Sequence, residues 1–279
     1  MKHTAYNLQK AVALTSARLF NNGCRAFWWN EISNFGDLLT PALLRSFGLT
    51  PIHVFPDFHR QSGWTFVGSL IEMLPETYSG NIVGTGCMFD RACRLEKARF
   101  WSVRGPLTRD RLGLPASIPL GDPGLLADRL LARSASKMFD LGIIPHYKDK
   151  GHHWVKDFSS RYKDQVSVID PQQHPKTVVN QISRCRYIAS SSLHGIIVAD
   201  SLQIPNIWLA LSDKVGGGKF KFNDYNYAIG FQQHPVLPDD LKCMGDIERR
   251  ADRKDATAII EAKNGIAALF DEIVGNLRP

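Results

Sequence analysis

The chain has 279 residues, is 44% hydrophobic, and carries 34 basic against 27 acidic residues for a net charge of +7. That apolar content excludes a disordered chain and suits one large domain or two of ordinary size. The basic excess favours anionic partners, phosphorylated small molecules among them. No Lys/Arg run of nucleic-acid type accompanies it, so no nucleic-acid partner is expected.

Residues 8–20 place Leu8, Val12, Leu14 and Leu19 among Lys10 and Arg18. With Phe27, Trp28 and Trp29 nearby, such a segment either rests on a membrane surface or packs on its own domain. In the first half, 25–29, 65–67, 81–83 and 100–103 read as strands, and 37–47, 71–74 and 106–112 as helices. Residues 133–137 read as a link. In the second half, short apolar runs at 141–145, 166–169, 187–189 and 207–211 alternate with helical patterns at 154–162, 175–185 and 193–202. Leu193, Ile196 and Ile197 recur at helical spacing. This alternation predicts a parallel sheet with helices on its faces. The tail, 256–277, reads as an amphipathic helix. The fold expected is α/β: two Rossmann-like parallel-sheet halves facing a central cleft, over 1–133 and 138–255, with a C-terminal helix at 256–279. Ligands of such sheets bind beyond the carboxyl ends of the strands.

The five cysteines, with no C-x-x-C and no zinc-site spacing, point to a reducing cytosol and to no metal site. The polar start is not expected to be a signal peptide, and no apolar run reaches the ~20 residues of a membrane span.

Several motifs sit where strands hand over to helices. Asn34-Phe-Gly-Asp37 opens a helix; Asp37 either favours its N-terminal dipole or stands with Asn34 at the cleft mouth. Gly84-Thr-Gly86 is a glycine turn without the third glycine of a dinucleotide site. Val103-Arg-Gly-Pro106 puts Arg104 at a strand end and Arg109 one helical turn on. Gly121-Asp-Pro-Gly124 is a tight turn in which Asp122 reads as a turn former. Ile144-Pro-His-Tyr-Lys148 places His146 and Lys148 in a loop. Ser190-Ser-Ser-Leu-His-Gly195 enters a helix: hydroxyls of Ser191 and Ser192 and free N–H groups make an anion site, and His194 can add charge or a proton. Its unperturbed pKa of about 6.5 suits that task. Gly216 to Tyr225 reads as a flexible loop with two lysines, Lys219 and Lys221, that is not a Walker A loop.

In this order the motifs resemble the polysaccharide pyruvyl transferase family, closest to the ketal pyruvyl transferases of xanthan and succinoglycan assembly, over residues 25–230. The resemblance implies a GT-B-like fold with the first half on the acceptor side and the second on the donor side. It implies phosphoenolpyruvate as donor, no cofactor or metal, and a sugar hydroxyl pair as acceptor, in an exopolysaccharide or its polyprenyl-diphosphate-linked precursor. That work belongs to the cytoplasm or the inner face of its membrane. Many members carry arginine directly before Leu-His-Gly; here Ser192 stands there, so Arg104, His146 or the Lys219 loop would supply the cation. The roles expected are His194, Asp37 and His146 in catalysis, and Arg104, Ser191, Ser192, Lys219, Asn34 and Arg109 in substrate binding. Two rival readings remain: a nucleotide-sugar glycosyltransferase with Asp224 as its ribose carboxylate, and a non-catalytic glycan-binding subunit.

Overall fold

Nine strands form two wholly parallel sheets among the residues that this computed structural model describes, 10–17, 21–56, 63–132 and 136–277. The first sheet holds β1 (Gly23–Phe27), β2 (Thr50–His53), β3 (Trp64–Thr65), β4 (Asn81–Ile82) and β5 (Arg99–Phe100) in the order β2-β1-β3-β4-β5. The second holds β6 (Phe139–Ile144), β7 (Val166–Val168), β8 (Cys185–Ser190) and β9 (Asn206–Trp208) in the order β7-β6-β8-β9. The expected α/β class and its two parallel-sheet halves are present.

The first-half strands are shorter than their apolar runs for identifiable reasons. Beyond β3, the Val67 N–H donates to Thr40 Oγ1 instead of a neighbouring strand. Beyond β5, Val103 leaves the sheet to bridge Leu120. Strand β2 is not among the expected elements, because Pro51 interrupts it; a residue without an N–H is tolerated there because β2 is an edge.

Helix α1 (Phe35–Ser46) starts two residues before the expected 37, with Asn34 as its N-cap accepting from the Gly36 N–H. Residues 71–73 form a single 3-10 turn, and α2 (Pro106–Arg111) follows as expected. A 3-10 segment, Pro123–Leu130, is capped by Asp122, whose carboxylate accepts from the Gly124 N–H at 2.8 Å. Next come α3 (His153–Arg161), α4 (Pro175–Ser183), α5 (Leu193–Ser201), α6 (Phe220–Ala228), α7 (Met244–Arg250) and α8 (Ala256–Leu277). Helix α6 corrects the expected flexible loop: its residues Phe222, Asp224 and Tyr225 are buried, and that packing holds the segment in one conformation.

The halves share a hydrophobic core. Leu39 and Leu43 of α1 belong to one cluster with Val178 and Ile182 of α4 and Ile266, Phe270 and Ile273 of α8. The Phe270 ring lies 5.0 Å from that of Phe47 and 5.1 Å from that of Phe66, so the C-terminal helix packs back on the first half. Each such side chain contributes roughly 1.5–3 kcal/mol by burial, so parting the halves would cost many times that.

The expected link falls partly on 133–135, outside the described residues. Leu8, Arg18, Leu19 and Phe20 of the N-terminal segment also lie outside them. Within 10–17, which is helical, Val12 and Leu14 are exposed. The aromatic run does not join them: Phe27 and Trp28 are buried in the core. No helix among the described residues is long and apolar enough to cross a membrane.

Candidate functional site: an anion-ready cavity lined by both halves

The register of the second sheet brings two loops together. Ile144 pairs with Ser190, and Ser190 with Trp208, so β6, β8 and β9 end level. The chain past β6 therefore emerges beside the chain past β8. The Ser191 N–H donates to the Ile144 carbonyl at 3.1 Å, and the His146 N–H donates to Ser191 Oγ at 2.8 Å. Ser191 is thus turned inward and holds the His146 loop. Ser192, at the N-cap of α5, is buried and makes no side-chain cap. The N–H groups of Leu193 and His194 donate to nothing among the described residues. Free N–H groups at a helix start favour an anion.

From the first half, the turn before α1 approaches this helix start. Gly36 lies so close to His194 that a Cβ on it would stand 2.3 Å from the ring Nδ1, which is why this turn needs glycine. Asn34 and Asp37 are joined by a bond from Asn34 Nδ2 to Asp37 Oδ2 at 2.9 Å. A cavity of about 260 Å³ opens between these parts. Asn34 and Asp37 line it from one side, His146, Lys148, Ser192, His194 and Lys221 from the other, with Trp29, Met88 and Tyr147 as apolar walls.

Five of the nine expected site residues, Asn34, Asp37, His146, Ser192 and His194, therefore meet; Ser191 only supports the His146 loop, and three others lie away from the cavity. Arg104 is fully buried behind the wall: Nε donates to Asp224 at 2.9 Å, Nη1 to Ser69 Oγ at 2.7 Å and Nη2 to the Cys87 carbonyl at 2.6 Å. A Cβ on Gly86 would stand 2.3 Å from its guanidinium carbon, so the glycine turn exists to admit this arginine. Arg104, expected to contact the donor anion, does not line the cavity; it holds Ser69, a wall residue. Arg109 pairs with its neighbour Asp110 away from the cavity. Lys219 is exposed and does not line the cavity; the lysine that does is Lys221, which is 7% exposed. Read as a helix, 220–228 puts Lys221, Asp224 and Tyr225 on one face at i, i+3, i+4, a signal the loop reading hides.

Asp224 accepts from Arg104 Nε, from the Thr108 N–H at 2.8 Å and from the Thr108 hydroxyl at 2.7 Å, and is fully buried. It ties α6 to the start of α2 and has no face left for a ribose, which corrects its role in the glycosyltransferase reading.

The charges of the site act on one another. Burial pushes His194 down to about 3, helped by Arg104 and Lys221. Burial and Lys221 likewise hold His146 at about 4. Lys221 falls to about 8 through burial and the nearby Arg104, with Asp37 opposing. Burial raises Asp37 to about 6 against the pull of Asn34 and Lys221. The expected ordinary histidine is therefore corrected: His194 is neutral at pH 7, because burial disfavours its charged form and Arg104 and Lys221 add to that. Asp122, read from sequence as a turn former, lies directly behind: its Oδ2 is 4.0 Å from His194 Nε2, and burial raises it to about 7.

A separate cluster, Glu72, Cys87 and Cys93, brings three potential metal-ligand atoms within 4.8 Å of one another. The Glu72 carboxylate already accepts from the Met88 and Phe89 N–H groups, and burial pushes the Cys87 thiol far up, so the group acts as a loop clamp.

Two parallel-sheet halves of an α/β protein thus share a cavity with free helix N–H groups, a buried lysine and two neutral histidines. The profile of the polysaccharide pyruvyl transferase family matches residues 92–213, which carry the motifs from Arg104 to His194. The chain is 26% identical over 217 residues to the succinoglycan biosynthesis protein ExoV of Rhizobium meliloti (strain 1021), covering 75% of this chain and 66% of that protein. It is 37% identical over 123 residues to an uncharacterized protein of Acanthamoeba polyphaga mimivirus, covering 42% of each. The matches thus span just under two thirds of the first relative and under half of the second. Over residues 92–213 the chain is similar to the polysaccharide pyruvyl transferase family.

Proposed function

We propose that the cavity binds phosphoenolpyruvate and transfers its pyruvyl group, as a ketal, to two hydroxyls of a sugar in an exopolysaccharide or its lipid-linked precursor. The observation that carries this reading is the meeting of the Asn34/Asp37 turn with the Ser192–His194 helix start at one cavity also lined by Lys221 and Lys148. A donor with a carboxylate and a phosphate suits free N–H groups and buried cations. Burial is the main reason that His194 is neutral; the donor's negative charge would offset the Arg104 and Lys221 field that adds to it and so favour a proton on the acid.

The balance of the reaction then assigns work to four side chains. His194 gives a proton to the methylene carbon of the enol, and Asp37, oriented by Asn34, takes one from the first attacking hydroxyl. A carboxylate of pKa about 6 is ionised at neutrality yet basic enough for this. Phosphate leaves with the electron pair of its C–O bond, the second hydroxyl closes the ketal on the oxocarbenium carbon, and its proton departs with phosphate. His146, at the other edge of the cavity, is the second proton carrier. The scheme draws on no cofactor. With a lipid-linked acceptor the chain would work at the inner face of the cytoplasmic membrane.

The nucleotide-sugar reading loses its carboxylate candidate, since Asp224 is enclosed by Arg104 and Thr108. Phosphoenolpyruvate should raise the melting temperature and UDP-sugars should not, because only a ligand of the folded state stabilises it. With acceptor glycan present, phosphate release should match pyruvate ketal found by mass spectrometry. His194→Gln should fold, keep donor binding, and lose turnover by roughly 10²–10⁴-fold. A glutamine variant with wild-type turnover would remove His194 as the acid.

A further inference from the structure

We propose that Asp122 is a positioning residue for His194, accepting a hydrogen bond from Nε2–H and holding the ring with Nδ1 toward the turn at 34–37. Three observations lead there. Asp122 Oδ2 and His194 Nε2 are both buried, and neither has a hydrogen-bond partner among the described residues. They face each other at 4.0 Å. The other carboxylate oxygen is pinned by the Gly124 N–H at 2.8 Å, so Oδ2 has a fixed aim.

A gap of 4.0 Å is longer than a hydrogen bond, and unpaired buried polar atoms are rare because they have lost water without replacement. A small rotation of the imidazole would close the gap. Catalytic hydrogen bonds are often long in a free enzyme and tighten only when ligand is present. A purely structural pair would already be closed, as Arg104–Asp224 is at 2.9 Å.

The groups that face the pair oppose a charged bond between its members. Burial first, then Arg104 from the turn before α2 and Lys221 from α6, oppose a proton on His194. Burial and Asp224 oppose charge on Asp122, which the Gly124 N–H and Arg104 favour. An anion in the cavity offsets the cations, lets the ring take its second proton, and thereby strengthens its bond to the carboxylate. A carboxylate behind one ring nitrogen also decides which nitrogen faces the substrate.

The rate consequence rests on the pyruvyl-transfer reading; the ring's state can be read without turnover. Full-length protein with ring-labelled histidine is titrated with inorganic phosphate and followed by ¹⁵N NMR, His194 being assigned by its loss in His194→Gln. The expected result is Nε2 carrying the proton, a slowly exchanging Hε2 signal once phosphate is bound, and an apparent His194 pKa lower by at least about one unit in Asp122→Asn. A ring protonated on Nδ1 alone, or identical titrations in wild type and Asp122→Asn, would overturn the assignment. Should Asp122→Asn fail to fold, the wild-type tautomer and Hε2 exchange decide the matter. In transfer assays Asp122→Asn should lower kcat on the order of 10²-fold, leave donor KM nearly unchanged and shift the pH–rate profile. An unchanged profile would again overturn it. A wild type that never releases phosphate from phosphoenolpyruvate would instead sink the pyruvyl-transfer reading and leave the NMR result standing.

Discussion

Two buried pairs of opposite character lie behind the same cavity wall. Arg104 and Asp224 are closed: the guanidinium donates to Asp224, Ser69 and the Cys87 carbonyl, and Asp224 also accepts two bonds from Thr108. Asp122 and His194 are open: 4.0 Å apart, each with an unpaired buried atom. Both pairs join segments distant in sequence, and both involve motif residues. The closed pair has spent its hydrogen bonds on holding α6 against α2, so it stabilises. The open pair has kept its hydrogen bonds in reserve, which costs stability and leaves a proton free to move. A charged residue in a motif is therefore not one kind of thing; its remaining valences tell which kind it is.

The strongest way to break this comparison is at the closed pair. Arg104→Ala leaves Asp224 as a buried carboxylate without its cation, a change that typically costs roughly 3–5 kcal/mol. Chemical denaturation should show a loss of that order, with Arg104→Lys recovering only part because a point charge cannot serve three directions at once. Full stability in the alanine variant would mean that the pair holds nothing, and would return Arg104 to consideration as a ligand for the donor.

Two neighbouring lysines should differ as well. Lys221 lines the cavity and is nearly buried, whereas Lys219 is exposed two residues earlier. Lys221→Ala should weaken binding of phosphoenolpyruvate by roughly 1.5–3 kcal/mol, the range for a bond to a charged group. Lys219→Ala should change it by less than about twofold, as befits a solvent-screened charge. Calorimetric titration of both variants reads the difference. Equal losses would show that the whole 216–219 segment closes on the ligand, and that exposure in the free protein misleads.

The same pairs separate what an amino-acid sequence makes legible from what it conceals. Period-2 and period-3.6 patterns expose the parallel second half, because β6 to β9 are buried runs separated by amphipathic helices. The first half is harder: two of its strands stop early because Val67 and Val103 bond elsewhere, and Pro51 hides an edge strand. Asn34, Asp37, His146, Ser192 and His194 can be found because strand-to-helix turns announce themselves. Arg104 misleads, since a lone arginine at a strand end looks the same whether its partner is a ligand or an aspartate 120 residues away. Asp122 hides for another reason. The cap it makes to Gly124 is the ordinary work of an aspartate before Pro-Gly, and nothing local reveals that its second oxygen faces a histidine.

The smallest effect concerns Asp37, which shares the cavity with the open pair but is only half-buried. Its folded pKa of about 6 lies above the ordinary carboxylate value of 3.8, because burial opposes the charge more than Asn34 and Lys221 favour it. The sign follows from proton counting. Between about pH 4 and pH 6 the folded protein holds a proton that the unfolded chain has lost, so this group's contribution is complete below pH 4 and declines as pH rises through 6. Asp37→Asn cannot ionise and should not decline. The variant should match wild type near pH 4 and exceed it at pH 7 by about 1 kcal/mol, or roughly 2–4 °C in melting temperature, a shift trimmed for partial exposure. His194 runs the other way: its depressed pKa gives stability that is full above about 6.5 and is lost as pH falls toward 3, in wild type and variant alike. Comparing the two proteins at each pH cancels that contribution and isolates Asp37. If the variant gains nothing at pH 7, ionised Asp37 is already well compensated, and the pairing with Lys221 is stronger than burial. Asp37 would then be a counter-ion that holds Lys221 in place, and the base that activates the acceptor hydroxyl would have to be sought at His146.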